Sequence, residues 1–229
     1  RLLQDQTIPN HQIKHHIQKW FVLSTLTSRY IGSPESVMSR DIKSITEKGF
    51  VNFFEEIEAS ALSDTFWNIT LPQALETSST NSPAFNTFLA AQINLNCNSL
   101  FMHGTMVADL LNISGDVHHI FPKAYLRGNG VNTKIKYNQV ANYIYLDTQV
   151  NKAIRDDAPN IYFGKVLDQC NTKNVVIGNI TDCDRLKQNL EQNAVPETVV
   201  NMTVKDYDKF LEQRRYLMAK LIEKYYKKL

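Results

Sequence analysis

Apolar and polar positions over the first hundred residues follow a helical period. Ile13, Ile17, Trp20 and Phe21 fall at i, i+4, i+7 and i+8, the spacing of one apolar stripe, and Gly32-Ser33-Pro34 interrupts the chain after it. The pattern predicts a second helix over about 36 to 48, stopped by Gly49, and a third over 51 to about 62. Ser82 followed by Pro83 has the form of an N-cap with proline at the first helical position, opening a helix through Phe85, Leu89 and Ile93. The preceding stretch TSSTN, residues 77–81, reads as a loop. From about Leu110 the texture changes to short apolar pieces separated by Gly115, Gly128-Asn129-Gly130 and Pro159, which predicts a compact mixed unit containing strands. Near the end Tyr207, Phe210, Leu211, Met218, Leu221, Ile222 and Tyr225 return to a helical stripe, with Thr203 and Asp206 spaced as a capping-box variant ahead of it. The expectation is an α+β chain, mostly helical, with a helical domain over 1–109 and a mixed unit over 110–229 closed by a long C-terminal helix.

Composition narrows the class. At 229 residues, 43% hydrophobic and 10% aromatic, the chain is long and apolar enough to bury a core, which excludes disorder. No apolar run approaches the roughly 18–20 residues of a membrane span, so no membrane association is expected. The chain opens on Arg1 without the apolar segment of a signal peptide and reads as trimmed or as a piece of something longer. Cys97, Cys170 and Cys183 form no C-x-x-C pair, which fits a reducing, cytoplasmic setting. The sequons at Asn68, Asn112, Asn179 and Asn201 carry no weight without an export signal.

Charge is nearly balanced, with 25 Lys and Arg against 23 Asp and Glu, but unevenly placed. Between Asp116 and Arg155 stand six bases (Lys123, Arg127, Lys134, Lys136, Lys152, Arg155) and two acids (Asp116, Asp147). The tail from Lys205 carries eight bases against four acids. Such asymmetry is the footprint expected where a polyanion docks, although a basic helix face is more often plain solvated surface.

The most informative segment is Asp116-Val-His-His-Ile-Phe-Pro-Lys123, followed by Asn142-Tyr-Ile-Tyr-Leu146 and Val150-Asn151-Lys152. Adjacent histidines on a strand point to opposite faces, so at least one of His118 and His119 needs a polar role. A hairpin from 116 to about 146 followed by a short helix would let His118, His119, Asn142 and Asn151 converge. That set suits metal-assisted phosphodiester hydrolysis: ligands for a hard cation, a neutral imidazole to take a proton from water, and a group to orient that imidazole.

The order His-His-Ile, then Asn-x-Ile, then Asn nine residues later resembles the HNH, or ββα-metal, nucleases. More narrowly, DVHHIFPKAYL, YNQVANYIYLDTQVNKAI, DDAPNIYF and FLEQRRYLMAKLIEKYY resemble the C-terminal nuclease region of GmrSD-type restriction endonucleases over about 110–229, and WFVLSTLTSRYIGSPES resembles the helical part preceding it. The resemblance implies an HNH endonuclease that cleaves or nicks DNA, as part of a bacterial, modification-dependent restriction system acting on phage DNA. His119 takes the place of the family's base, His118 and Asn151 those of the metal ligands, and Asn142 that of the residue tying the hairpin and holding His119 in line. The implied cofactor is Mg²⁺ held largely by water and substrate, and His118 in place of the usual Asp opens the site to Mn²⁺, Ni²⁺ or Zn²⁺. Such proteins carry an upstream nucleotide-hydrolysing domain with an Asp-Gly-Gln-Gln-Arg motif, which this sequence lacks. One metal centre cuts one strand, so a double-strand break implies two copies, as in a homodimer, or two encounters. The rival expectation is an inactive HNH-like DNA-binding or regulatory module of a larger protein.

Other residues have plainer readings. Lys123, Lys152 and Arg155 flank the candidate site and suit phosphate contacts as well as solvated surface. Asp116 is either a partner supporting a histidine or a turn residue. His11, His15 and His16 lack a further ligand nearby and read as a polar helix face. Tyr225 and Tyr226 belong to a packed helix. No phosphate loop, G-x-G-x-x-G, H-E-x-x-H or G-x-S-x-G motif competes with the His-His/Asn/Asn set.

Overall fold

The computed structural model describes residues 8–113 and 117–229. The N-terminal half is a run of helices: α1 (Asn10–Leu26), α2 (Pro34–Lys48), α3 (Phe50–Ala61), a π-turn (Phe66–Thr70) running into α4 (Leu71–Ala74), α5 (Pro83–Asn94) and α6 (Val107–Asn112). Next come β1 (Val117–His119), α7 (Lys123–Gly128), α8 (Lys134–Tyr137), a 3-10 turn (Val140–Asn142), β2 (Tyr143–Tyr145) and α9 (Thr148–Ile154). The chain closes with α10 (Pro159–Thr172), α11 (Cys183–Gln192), two further 3-10 turns (Glu197–Asn201 and Val204–Asp206) and α12 (Tyr207–Lys228). The result is a mostly helical α+β protein with one small sheet among the described residues.

Local chemistry explains many of the boundaries. Gly49 takes φ 80° between α2 and α3, a conformation that a residue with a side chain resists. Ser82 accepts the Phe85 backbone N–H at 3.3 Å, capping α5 with Pro83 at its first position. Asp206 Oδ2 accepts from the Thr203 backbone N–H at 3.0 Å and its hydroxyl at 3.2 Å, the capping box ahead of α12. Residues 77–81 form the expected loop, whose Thr77 carbonyl accepts from Val140 N at 2.8 Å.

The stripe expected on α1 is rotated. Ile13, Val22 and Leu23 are buried and Trp20 is half-buried, whereas Ile17 and Phe21 are 51% and 68% exposed. The aromatic face of α3 decides this, because Phe50, Phe53 and Phe54 meet the edge of α1 that carries His16 and Trp20. His16 is therefore a packed ring rather than part of a solvated face; its Nδ1 has no hydrogen-bond partner among the described residues. On α5 the buried side is Ala84, Phe85, Phe88 and Ala91, with Leu89 half-buried and Ile93 43% exposed.

α12 is the spine. Tyr207, Phe210, Leu211, Met218, Ile222 and Tyr225 are buried along it as the stripe predicts, each contributing about 1.5–3 kcal/mol of apolar burial. Tyr226 is also buried and donates its hydroxyl to Glu58 at 2.6 Å. The helix lies against α5, α4, the π-turn and the 3-10 turn of Val140–Asn142, so one continuous buried cluster runs from Ile8 to Tyr226 across the 109/110 position. All three cysteines are free, Cys97 and Cys170 buried and Cys183 exposed. No helix of the described residues is long and apolar enough to cross a membrane.

Candidate functional site

β1 and β2 pair antiparallel, with Val117 opposite Tyr145, His118 opposite Ile144 and His119 opposite Tyr143. The expected hairpin is thus present as two three-residue strands, with α7 and α8 inserted between them and α9 following β2. Alternation along β1 sends the rings of His118 and His119 to opposite faces, and both are half-buried.

His119 is held from two sides. Its ring meets Tyr143 edge-to-face at 5.2 Å and 90°, and its Nε2 lies 3.0 Å from Asn138 Oδ1. Asn138 is fixed in turn, its carbonyl accepting the Tyr143 hydroxyl at 3.1 Å. With Asn138 Oδ1 facing the ring as the acceptor, Nε2 carries the proton, and in the neutral ring Nδ1 keeps its lone pair. Burial pushes the His119 pKa below the usual imidazole value; the Asn138 bond opposes this, while Lys123 and His118 add to it. The ring is therefore neutral at pH 7, as a proton acceptor must be.

Asn142 is completely buried and ties the hairpin. Its Oδ1 accepts from Phe121 N at 2.8 Å, and its Nδ2 donates to the carbonyls of Phe121 at 3.1 Å and Tyr137 at 3.2 Å. Its backbone carbonyl accepts from Ile120 N at 2.9 Å. Asn142 thus joins the chain leaving β1 to the end of α8, whereas the bond to the His119 ring comes from Asn138.

Two distant side chains brace the same backbone. Arg214 of α12, 1% exposed, donates from Nη1 to the carbonyls of Ala141 at 2.8 Å and Tyr143 at 2.7 Å, on either side of Asn142, and from Nη2 to Asn193 at 3.4 Å. Burial pushes its pKa down to about 9, which leaves it cationic at neutral pH. Tyr162 of α10 donates its hydroxyl to the Ile120 carbonyl at 2.6 Å. Asn138, Tyr162 and Arg214 were not singled out by the sequence. Arg214 alone left a signal, since it occupies a core position of the α12 stripe between Leu211 and Met218.

Asn151 sits on α9, which is N-capped by Asp147 and anchored by buried Val150 and Ile154. It is half-buried, and its side-chain amide makes no hydrogen bond to a described residue. Lys123, Lys152 and Arg155 are exposed; Lys123 Nζ lies 5.3 Å from the centre of the Tyr137 ring, and Arg155 ends α9 at φ 53°. Arg127, Lys134 and Lys136 are exposed as well, and none of these six bases forms an ion pair among the described residues. Elsewhere Lys19, Arg29, Lys165 and Arg215, among others, are paired with carboxylates. Asp116 lies outside the described residues.

The described residues contain no group of three or more His, Cys, Asp or Glu able to hold a metal ion. Of the two residues expected to hold a metal, Asn151 has a side-chain amide that makes no hydrogen bond to a described residue, and an imidazole with an amide oxygen is a donor pair that suits a hard cation keeping most of its water. A cavity of about 350 Å³ lined by Leu95, Cys97, Leu217, Lys220, Leu221 and Lys224, among others, shares none of these residues. Comparison with known protein families, with characterised proteins and with solved structures found no match.

Proposed function

We propose that the chain is an HNH-type endonuclease that hydrolyses phosphodiester bonds of DNA. The observation that carries this reading is the state of His119: a neutral imidazole bonded through Nε2 to Asn138, its Nδ1 lone pair available, on a hairpin flanked by exposed bases with no carboxylate partners among the described residues. A general base needs that protonation state, and a polyanionic substrate needs those unpaired cations.

In the proposed reaction Nδ1 of His119 takes a proton from a water molecule. The water oxygen forms a bond to phosphorus as the bond to the leaving ester oxygen breaks, and that oxygen departs with the bonding pair and takes up a proton from solvent. Asn138 keeps the ring in the required tautomer, and Asn142, Arg214 and Tyr162 keep the strand ends from shifting under it. Lys123, Lys152 and Arg155 hold the phosphate backbone. A divalent cation, Mg²⁺ first and Mn²⁺, Ni²⁺ or Zn²⁺ as substitutes, would be held by His118 and Asn151 and would supply neutralisation of charge developing on the phosphate. The biological setting proposed is cytoplasmic restriction of phage DNA, modified DNA included, alongside a nucleotide-hydrolysing domain, with a pair of chains for a double-strand break.

A plasmid-nicking assay over this metal series tests the proposal. Wild type should relax supercoiled DNA, and His119→Ala should lose about 10²–10⁴ in rate while binding DNA within a few-fold. Wild type that binds DNA but never cuts it would favour the non-catalytic module.

A further inference from the structure

Beyond Lys123, the segment between the two strands carries bases that the hydrolytic step does not use. No Asp or Glu occurs from Val117 through Leu146, while Lys123, Arg127, Lys134 and Lys136 all do. All four are exposed and make no ion pair among the described residues. The residues joining α7 to α8, Asn129-Gly130-Val131-Asn132-Thr133, are uncharged and nearly all exposed, so no anion of the arm itself competes for these bases.

α8 presents an apolar apex. Ile135 is 67% exposed, and Tyr137, two residues on and about 200° around the helix axis, is buried beneath it. Lys134 and Lys136 leave the helix about 100° to either side of Ile135. A lone exposed isoleucine is ordinary, but one set between two exposed lysines that leave the helix on opposite sides is a shaped surface. Three side chains tie down this turn: Gln139 Nε2 donates to the Ile135 carbonyl at 2.7 Å, Tyr207 donates its hydroxyl to the Lys136 carbonyl at 3.0 Å, and Asn142 donates to the Tyr137 carbonyl at 3.2 Å. On the other helix Tyr125 accepts the Val204 N–H at 2.9 Å, and Leu126 is fully buried.

We infer that α7 and α8 form a second nucleic-acid contact and that its occupant is a duplex, with Ile135 against a groove and Lys134 and Lys136 on the phosphate walls at either side. A single strand offers one backbone, whereas two cations diverging around an apolar apex match two. Apolar wedges flanked by basic residues are how proteins engage the minor groove, which is about 6 Å wide. The inference rests on the proposed DNA substrate and extends its contacts from the phosphate at His119 to a groove of the flanking helix.

The test is binding by the full chain, without divalent metal, of a fluorescent duplex of about three helical turns and of one of its strands, across a salt series. Lys134→Ala with Lys136→Ala should lower the slope of log affinity against log salt by about two, at roughly 0.9 for each phosphate no longer neutralised. Ile135→Ser should weaken duplex binding about tenfold at unchanged slope and leave single-strand binding alone. All three positions are exposed, and an unchanged circular dichroism spectrum shows that the variants fold. Wild-type affinity and slope in these variants would overturn the inference while leaving the nuclease reading intact, as would equal losses on single strand and duplex. A wild-type chain that binds no DNA overturns both.

Discussion

Two pairs of adjacent histidines occupy this molecule, and they differ in what surrounds each ring. His15 and His16 lie on α1, their rings 5.6 Å apart, with His16 packed edge-on against Phe50 and Phe54 and its Nδ1 left without a partner among the described residues. His118 and His119 lie on β1, where Asn138 bonds His119 and the hairpin around it is free of acidic residues. Both His16 and His119 have pKa values lowered chiefly by burial. A depressed imidazole pKa therefore does not distinguish a packing histidine from a candidate base. The distinction lies in a partner that fixes the tautomer, a braced backbone beneath the ring and unpaired cations on the flanking elements.

The sharpest way to break the comparison is to delete each ring in turn. His119→Ala should cost about 10²–10⁴ in nicking rate, whereas His16→Ala should leave it within about twofold, both read as single-turnover rates on plasmid. Comparable losses in the two variants would mean that the strand pair has no special role.

Next in size is Asn142→Ala. It leaves the Phe121 N–H and the carbonyls of Phe121 and Tyr137 without partners, and should destabilise the fold by about 3 kcal/mol, seen as a lower denaturant midpoint. Asn138→Ala should lower the nicking rate about 10- to 100-fold with little loss of stability, because it removes the bond that sets the His119 tautomer. The ¹⁵N shifts of the ring nitrogens of His119 would show the tautomer released. Smaller again are Lys152→Ala and Arg155→Ala, each expected to reduce the salt slope of DNA binding by about one.

The smallest effect belongs to the α1 pair. The folded pKa of His16 lies below the ordinary value of 6.5, so the unfolded chain takes up the proton first as the pH falls. The stability this ring contributes is complete above 6.5 and is lost as the pH drops through the folded value. His16→Phe should flatten that part of the acid dependence of the denaturant midpoint.

Much of this was legible in the sequence where the signal is local. The Gly49 stop, the Ser82-Pro83 start, the Thr203–Asp206 box and the α12 stripe are each set within one or two helical turns, and the structure places them where the pattern does. The strand carrying His118 and His119 and the short helix carrying Asn151 were legible in the same way, whereas Asn142 falls on the 3-10 turn just ahead of β2. What was hidden depends on contacts far along the chain. The outward turn of Ile17 and Phe21 follows from the phenylalanines of α3. Tyr162 and Arg214 reach the hairpin from 42 and more than 70 residues away. Strands of three residues are too short for alternation to show, and Asn138 becomes visible as the partner of His119 only once β1 and β2 are paired.

The most direct measurement is the pH dependence of single-turnover nicking by wild type, over about pH 5 to 8 where imidazoles titrate. The expected result is a rate that falls with acid along one limb whose midpoint lies below 6.5, because burial, Lys123 and His118 hold the proton off His119. A rate independent of pH across that range, or an acid limb that survives in the residual activity of His119→Ala, would contradict the assignment of His119 as the base.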